Sequence, residues 1–301
     1  HKVYCEKLKM FFLDCQQRFD MNYWKLDGFL VRPPQPDPQG NYISGGYQGM
    51  CYVTEHWERW IDIFQAMRDQ RGAKRNDLWI NLTCYVNPSP WFLQWGNSVW
   101  MQNSQDIGRL NVKRPSQLDQ LLSYRDDRYF DFVKTRAFQF PLAHLYNHDP
   151  IYGNTANLAG KMDDDEFRTY LMMMATRGSA FWELYYSYNM MNEGQKWVIN
   201  ADVLHWINDN YETLKHAKLI GQTPAKGTPY GYSAWSGQEG IISVRNPSDE
   251  VKEFTFPLDR TIGMPEGLKG LHRTYVWAYR TDEQKAEDTE NHLFDYGGQI
   301  S

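Results

Sequence analysis

Apolar positions in the first part of the chain follow a helical period and a strand period in turn. Residues 2–19 place apolar side chains three and four positions apart, which predicts an amphipathic helix, and a short apolar strand follows at residues 21–29. After a loop rich in proline and glycine at residues 32–49, the pattern predicts a helix at residues 55–71 and a strand at residues 78–84. The chain therefore opens with helices and strands in alternation.

This alternation continues as far as residue 221. Strand, helix, strand and helix in this rhythm are typical of parallel strands that are joined by right-handed crossovers. The further predicted elements are strands at residues 98–102, 137–142 and 180–185, and helices at residues 115–133, 163–176 and 201–219.

Beyond Gly221 the pattern changes to short strands that are separated by turn residues. These strands are predicted at residues 230–235, 240–245 and 251–256. Their spacing predicts a small antiparallel domain, which we expect to be a β-sandwich. The expected domains are a catalytic α/β domain at residues 1–221 and the β-sandwich domain at residues 222–301.

Five strand–helix units are too few to close an eight-stranded (β/α) barrel. Either three units precede residue 1 in the natural protein, or the sheet is open and doubly wound. The candidate active-site residues below favour the barrel. No cleavable signal peptide opens the chain, and residues 2–19 already form a helix, so we expect the natural start to lie upstream.

Composition and charge narrow the possible partners. The net charge is −5 with both signs interspersed, which argues against a nucleic-acid partner, and no run of about 18 apolar residues predicts a membrane span. The four cysteines form no Cys-x-x-Cys pair and no zinc-type spacing with histidine, so we expect neither a metal nor a cofactor. The 12 Trp, 20 Tyr and 15 Phe mostly indicate a large core, but flat aromatic faces also suit sugar binding.

Polar residues at the predicted strand ends are the candidates for catalysis. In (β/α) barrels, active-site residues lie at the carboxyl ends of the strands. Two carboxylates from different strands are what a retaining glycosidase needs, because one attacks the anomeric carbon while the other first donates and then accepts a proton. An aspartate at a strand end is also often a helix cap. The strand-end candidates are Asp27, Cys84, Asp106, the segment 144–149 and Glu183.

The segment Tyr23-Trp24-Lys25-Leu26-Asp27-Gly28 resembles the Lys-x-Asp strand of the α-galactosidases and their relatives in clan D of the glycoside hydrolases. Further segments occur in the order found in family 27 α-galactosidases: Asn81-Leu82-Thr83-Cys84, Pro90-Trp91, Gly96-Asn97-Ser98-Val99-Trp100 and Asp106-Ile107. This resemblance implies that Asp27 is the nucleophile, that Lys25 binds the sugar and that Asp106 is the acid/base. It covers roughly residues 15–110.

The chain departs from the family pattern at positions that contact the sugar. After the cysteine it has Tyr85-Val86-Asn87 in place of Glu-Trp-Gly, and Met101 stands where the family has an arginine. Asp106 lies one residue further from Trp100 than the family spacing. We therefore expect a retaining α-glycosidase with altered sugar recognition, of the α-galactosidase or α-N-acetylgalactosaminidase type or an endo-acting relative.

Several further residues are expected to bind the oligosaccharide or glycoconjugate substrate, although each has a simpler structural explanation. Cys84 suits a small buried residue under the site, and the tryptophans suit core packing. The segment around His144 suits a capped loop, while Glu183 is a rival to Asp106 as acid/base. The expected substrate-binding residues are Lys25, Cys84, Trp91, Trp100, His144 and Glu183.

Two other functions are compatible with the sequence. The departures from the family pattern also suit a carbohydrate-binding relative that has lost catalysis, and the strand count also suits an unrelated α/β enzyme with an open sheet. Enzymes that degrade polysaccharides are commonly exported, which favours a secreted or periplasmic protein. The oligomeric state is not predicted.

Overall fold

The computed structural model has a mixed α/β fold with both parallel and antiparallel sheets. The chain divides into two compact units, residues 1–102 and residues 103–301. In the described part of the chain, no helix combines the length and apolar character that a membrane crossing needs. The structure describes residues 2–28, 47–72, 77–83, 88–110, 116–154, 162–277 and 293–300.

The first unit contains the elements that the hydrophobic pattern predicts. They are α1 (Lys2–Phe19), β1 (Tyr23–Asp27), α2 (Tyr47–Arg71), β2 (Trp79–Thr83), a 3₁₀ turn (Pro90–Gln94) and β3 (Ser98–Trp100). Strand β1 pairs in parallel with β2, and β2 pairs in parallel with β3. The expected parallel strands are therefore confirmed for this unit, with α2 between β1 and β2 and the 3₁₀ turn between β2 and β3.

The two helices of this unit cover one face of its sheet. Trp24 and Leu26 of β1 are buried on that face, and the ring of Phe12 lies 4.8 Å from the ring of Trp24. Gln16 accepts a hydrogen bond from the indole nitrogen of Trp24 at 3.1 Å and donates one to the carbonyl of Met67 in α2 at 3.0 Å. Because side chains alternate along a strand, Tyr23, Lys25 and Asp27 lie on the opposite face.

The second unit begins with helices and very short strands. Two of its helices start at side-chain caps: Ser116 accepts from the backbone nitrogen of Asp119 at 3.1 Å, and Asp163 and Glu166 form a capping box. The elements are α3 (Gln117–Phe130), β4 (Leu145–Tyr146), β5 (Ile151–Tyr152), α4 (Asp164–Ala175), β6 (Tyr185–Tyr186), α5 (Tyr188–Met191) and α6 (Lys196–Leu214). Strands β5 and β6 pair in parallel.

An antiparallel region follows, as predicted. The strands β7 (Lys218–Gly221), β8 (Tyr230–Ser236) and β9 (Glu239–Arg245) form one sheet, and β10 (Phe256–Pro257), β11 (Leu271–His272), β12 (Leu293–Phe294) and β13 (Gln299–Ile300) form two pairs. Strand β7 pairs with β8 across the expected boundary near residue 221, and the division at that residue stays a prediction. A hydrophobic core is formed by Ile220, Trp235, Phe256, Leu258, Ile262 and Met264.

Several predicted elements differ from the structure. The predicted strand at residues 180–185 is reduced to β6 (Tyr185–Tyr186), the one at 251–256 to β10 (Phe256–Pro257), and α2 begins at Tyr47, within the predicted loop at residues 32–49.

Residues 137–142 are not a strand, since Ala137 has a positive φ of 51° and Pro141 lacks the N–H that a central strand donates. The predicted helix at residues 201–219 instead spans Lys196–Leu214, and β7 follows it. The last residues of the predicted helix belong to β7, because a short apolar run fits a helix or a strand equally well and its periodicity does not separate the two.

The closest backbone approach in the antiparallel sheet is at Gly231, where an added Cβ would lie 1.8 Å from the carbonyl oxygen of Ser243. We expect Gly231→Ala to lower the free energy of unfolding by at least about 1–3 kcal/mol, because β8 and β9 must separate to admit the methyl group. Urea denaturation measures the loss. The control is Gly237→Ala at a turn with open space, whose φ of 58° costs about 1 kcal/mol. Equal losses would contradict the tight strand contact.

Candidate functional site

The carboxyl end of β1 presents a lysine and an aspartate on one face of the sheet. Asp27 is exposed and Lys25 is half-buried, and both lie on the face opposite α1 and α2. Gly28 has a positive φ of 65°, so the chain turns directly after Asp27, and its N–H donates to the carbonyl of Thr83 at 3.2 Å. The Lys-x-Asp pair is therefore held at the end of a paired strand.

A buried amide supports the same face. The side chain of Asn81, fully buried, donates to the hydroxyl of Tyr23 at 2.9 Å and accepts from the indole nitrogen of Trp79 at 2.8 Å. It also accepts from the hydroxyl of Ser98. These bonds join β1, β2 and β3 through their side chains as well as their backbones. Side-chain hydrogen bonds therefore join the three strands on the face of the sheet that carries Lys25 and Asp27.

In the second unit, a histidine lies between two carboxylates. The Nδ1 atom of His148 is in short contact with Oε2 of Glu183, and its Nε2 atom is 3.4 Å from Oδ1 of Asp106. The exposed fraction of the side chain falls from 75% for Asp106 through 19% for His148 to 10% for Glu183. The ring of Tyr185 packs edge-on against the imidazole, with 5.0 Å between centroids. The cluster therefore runs from the surface to a buried carboxylate.

One arginine holds together the two segments that carry this cluster. Arg125 of α3 donates to the backbone carbonyls of Gln105 at 3.0 Å and Asp106 at 2.7 Å, and to the hydroxyl of Ser104. The same guanidinium donates to the carboxylate of Asp149, next to His148, at 2.9 Å. Its side chain is 4% exposed. Arg125 thereby sets the position of Asp106 relative to His148.

A second buried arginine extends this network to the antiparallel sheet. Arg177 donates to Asp149 at 3.1 Å and to Asp126 at 2.8 Å, and Asp126 accepts from the hydroxyls of Tyr230 at 2.5 Å and Tyr232 at 2.7 Å. Burial would lower the pKa of Arg177, but the facing carboxylates outweigh it and raise that pKa well above its ordinary value. The arginine therefore stays charged. We call Arg125, Asp126, Asp149 and Arg177 the ionic core.

The other predicted binding residues occupy different environments. Trp91 is 42% exposed in the 3₁₀ turn and packs against the rings of Trp57 at 4.8 Å and Trp95 at 4.4 Å. Trp100 is buried, and His144 is half-buried. Cys84 lies outside the described residues. Their roles in binding stay predictions, and the indole of Trp91 is the ring most open to solvent among Trp91, Trp100 and His144.

The structure brings together Asp106, Glu183 and His148, although their strand-end positions predict Asp106 and Glu183 as rivals for the acid/base role. The pattern of residues 144–149 predicts a capped loop for His148, and no motif singles out Arg125. Arg125 lies one helical turn from Leu121 and from Tyr129, both buried, so its position on an apolar stripe was the available signal. Among the residues with described coordinates, no group of three or more His, Cys, Asp or Glu side chains has the arrangement of a metal site.

A comparison of the chain with models of known protein families finds no match, and a comparison with curated proteins finds none either. The function is therefore inferred from the side chains themselves. Two arrangements are informative: the Lys25–Asp27 face of β1 in the first unit, and the Asp106–His148–Glu183 cluster in the second.

Removal of the charge of Asp126 should destabilise the second unit severely. Asp126→Asn leaves the buried Arg177 paired with Asp149 but no longer with Asp126, so the loss of unfolding free energy should reach up to about 3–5 kcal/mol, the cost of breaking a buried pair outright. Urea denaturation measures this loss. The control is Asp202→Asn, whose exposed pair with Arg168 at 3.4 Å contributes at most about 1 kcal/mol. Similar losses for the two variants would show that the ionic core contributes little.

Alkaline pH should weaken the fold through Tyr129. Burial raises the pKa of Tyr129 from 10 to about 12, because the ionised phenolate is disfavoured inside the protein. The resulting stability is complete below pH 10 and is lost as the pH rises towards 12, up to about 3 kcal/mol.

The variant Tyr129→Phe tests this dependence. At neutral pH it loses about 1 kcal/mol, since the amide of Asn147 donates to the Tyr129 hydroxyl at 3.0 Å and would lose that partner. Above pH 10 its unfolding free energy should fall less steeply than that of the wild type, as measured by denaturation at a series of pH values. Parallel curves would assign the alkaline loss to other groups.

Proposed function

We propose that the protein is a retaining glycoside hydrolase that cleaves α-linked sugars by double displacement. The observation that carries this proposal is the placement of Lys25 and Asp27 on one face of β1, at its carboxyl end and away from α1 and α2. Catalytic groups of parallel α/β enzymes occupy this position. The resemblance of the segment 23–28 to the Lys-x-Asp strand of clan D adds the reaction class.

Asp27 is the nucleophile in this mechanism. Its carboxylate attacks the anomeric carbon and forms a covalent glycosyl-enzyme, which water then hydrolyses with net retention. Lys25, two residues earlier on the same face, donates hydrogen bonds from its ammonium group to hydroxyls of the bound sugar. The turn at Gly28 leaves the carboxylate exposed, as a nucleophile that reaches a bound substrate must be.

Asp106 is the acid/base. Its side chain is 75% exposed, so a glycosidic oxygen can reach it, while its backbone carbonyl is anchored by the buried Arg125. It protonates the leaving oxygen in the first step and takes a proton from water in the second. A retaining mechanism requires about 5–5.5 Å between the two carboxyl groups.

The same observations favour a barrel for the catalytic domain. Strands β1 to β3 run parallel, their outer face is covered by helices, and their other face carries the polar side chains, as in the interior of a (β/α) barrel near its active site. For the later region, the hydrophobic core around Trp235 and Ile262 is what a β-sandwich would place between its sheets.

A carbohydrate-binding relative without hydrolysis is the second candidate, and Met101 favours it. The resemblance implies an arginine at this position as a sugar ligand, but the methionine is fully buried and its thioether has no hydrogen to donate to a sugar hydroxyl. Sugar recognition must then depend on other residues, of which the exposed Trp91 is one candidate. Hydrolysis of an aryl α-galactoside or aryl α-N-acetylgalactosaminide separates the two functions.

Substitution of the two aspartates tests the hydrolase. We expect Asp27→Ala to abolish turnover of aryl α-glycosides, and sodium azide to restore it by attacking the sugar in the space of the lost carboxylate. Asp106→Ala should lower kcat/KM by about 10²–10⁴-fold for a poor leaving group. Steady-state kinetics with product analysis by NMR measures the rates and the anomeric configuration.

The matched control is Asp202→Ala on the exposed face of α6, which should leave the rates unchanged. Full activity of Asp27→Ala would overturn the proposal. Sugar binding by calorimetry without hydrolysis of any substrate would favour the binding protein instead.

A further inference from the structure

The two contacts of His148 determine which of its ring nitrogens carry hydrogen. Its Nδ1 atom contacts the carboxylate of Glu183, and its Nε2 atom faces the carboxylate of Asp106. An ionised carboxylate only accepts hydrogen bonds, so the contact with Glu183 places a hydrogen on Nδ1. A neutral imidazole then has a lone pair on Nε2, which would be repelled by an ionised Asp106 at 3.4 Å.

A single proton between Nε2 of His148 and Oδ1 of Asp106 removes this repulsion. With that proton the pair is either imidazolium and carboxylate or neutral imidazole and carboxylic acid, and both forms are attractive. Asp149 is paired with Arg125 and Arg177, and Tyr185 presents its ring to the histidine.

We propose that His148 shares with Asp106 the proton that the acid/base step transfers, and that Glu183 orients His148 for this role. The inference rests on the proposed glycoside hydrolase function and assigns a task to two residues outside the aspartate pair. The carboxyl group of Asp106 is largely exposed, and the imidazole of His148, 3.4 Å away, is a group that can hold a proton beside it.

The proton balance of the two steps is complete. In the first, the shared proton moves to the leaving oxygen while the bond from that oxygen to the anomeric carbon breaks and Asp27 bonds to the carbon. Asp106 is left as a carboxylate beside neutral His148. In the second, water loses a proton to the pair, its oxygen bonds to the anomeric carbon, and the bond to Asp27 breaks. His148 and Glu183 act here as positioning residues.

The long Nε2–Oδ1 distance fits this assignment. Catalytic hydrogen bonds are often long in the absence of substrate and shorten in the complex. The short contact with Glu183 and the ring of Tyr185 fix the imidazole from two sides, and Arg125 fixes the backbone of Asp106. Only the exposed carboxylate of Asp106 has to turn towards the histidine.

Leaving-group dependence tests the proposal in His148→Gln. For an aryl α-glycoside with a poor leaving group, we expect kcat/KM to fall about 10²-fold and the basic limb of its pH profile to move to lower pH. A dinitrophenyl glycoside needs little protonation, so its rate should stay near that of the wild type. The matched control, His205→Gln at an exposed position of α6, should change neither substrate.

The variant Glu183→Gln and nitrogen NMR cover the case in which His148→Gln fails to fold. In the ¹⁵N-labelled wild-type protein, neutral His148 should carry its hydrogen on Nδ1. In Glu183→Gln this preference should be lost, because an amide can either donate or accept, and the pH profile should move in the same direction as in His148→Gln.

Two distinct results would overturn the proposal. One is a hydrogen on Nε2 of neutral His148, and the other is an unchanged pH profile and leaving-group dependence in both variants of an active enzyme. An inactive wild type with hydrogen on Nδ1 would instead remove the hydrolase function and leave the arrangement of the cluster standing.

Discussion

Pairing of buried charges constrains how the elements of the second unit are arranged. Each member of the ionic core faces at least one opposite charge, and a buried charge without its partner costs several kcal/mol. Since the four residues come from α3, from the segment after β4 and from the end of α4, this requirement selects one mutual arrangement of these elements, and with it the position of His148.

Sequence patterns predicted the elements whose chemistry is local. The helices α1 and α4 and the strand β1 follow from apolar spacing and capping residues, and Lys25 and Asp27 follow from their place at the end of a strand. The joining of Asp106, His148 and Glu183 did not follow, because it depends on Arg125 bonding to backbone carbonyls. Backbone carbonyls occur at every position, so the sequence does not indicate which of them accept a hydrogen bond. An arginine on the buried face of α3, in contrast, can be recognised in the sequence.

The two units provide partners for their buried polar groups in different ways. The first uses a neutral amide: Asn81 joins three strands through hydrogen bonds and carries no charge. The second uses charged pairs around Asp126, which accepts from Arg177 and two tyrosines. In the second network burial raises the pKa of the phenols of Tyr230 and Tyr232, so alkaline pH opposes its buried state.

The hydrogen bonds from Arg125 to backbone carbonyls have an evolutionary consequence. Its bonds to Gln105 and Asp106 end on peptide carbonyls, which every amino acid possesses. Replacement of either side chain leaves those acceptors in place, so the loop can exchange its functional group while its path persists. A scaffold of this kind permits descendants with new reactivity at position 106, and it tolerates small shifts in the spacing of a motif that rigid side-chain packing would forbid.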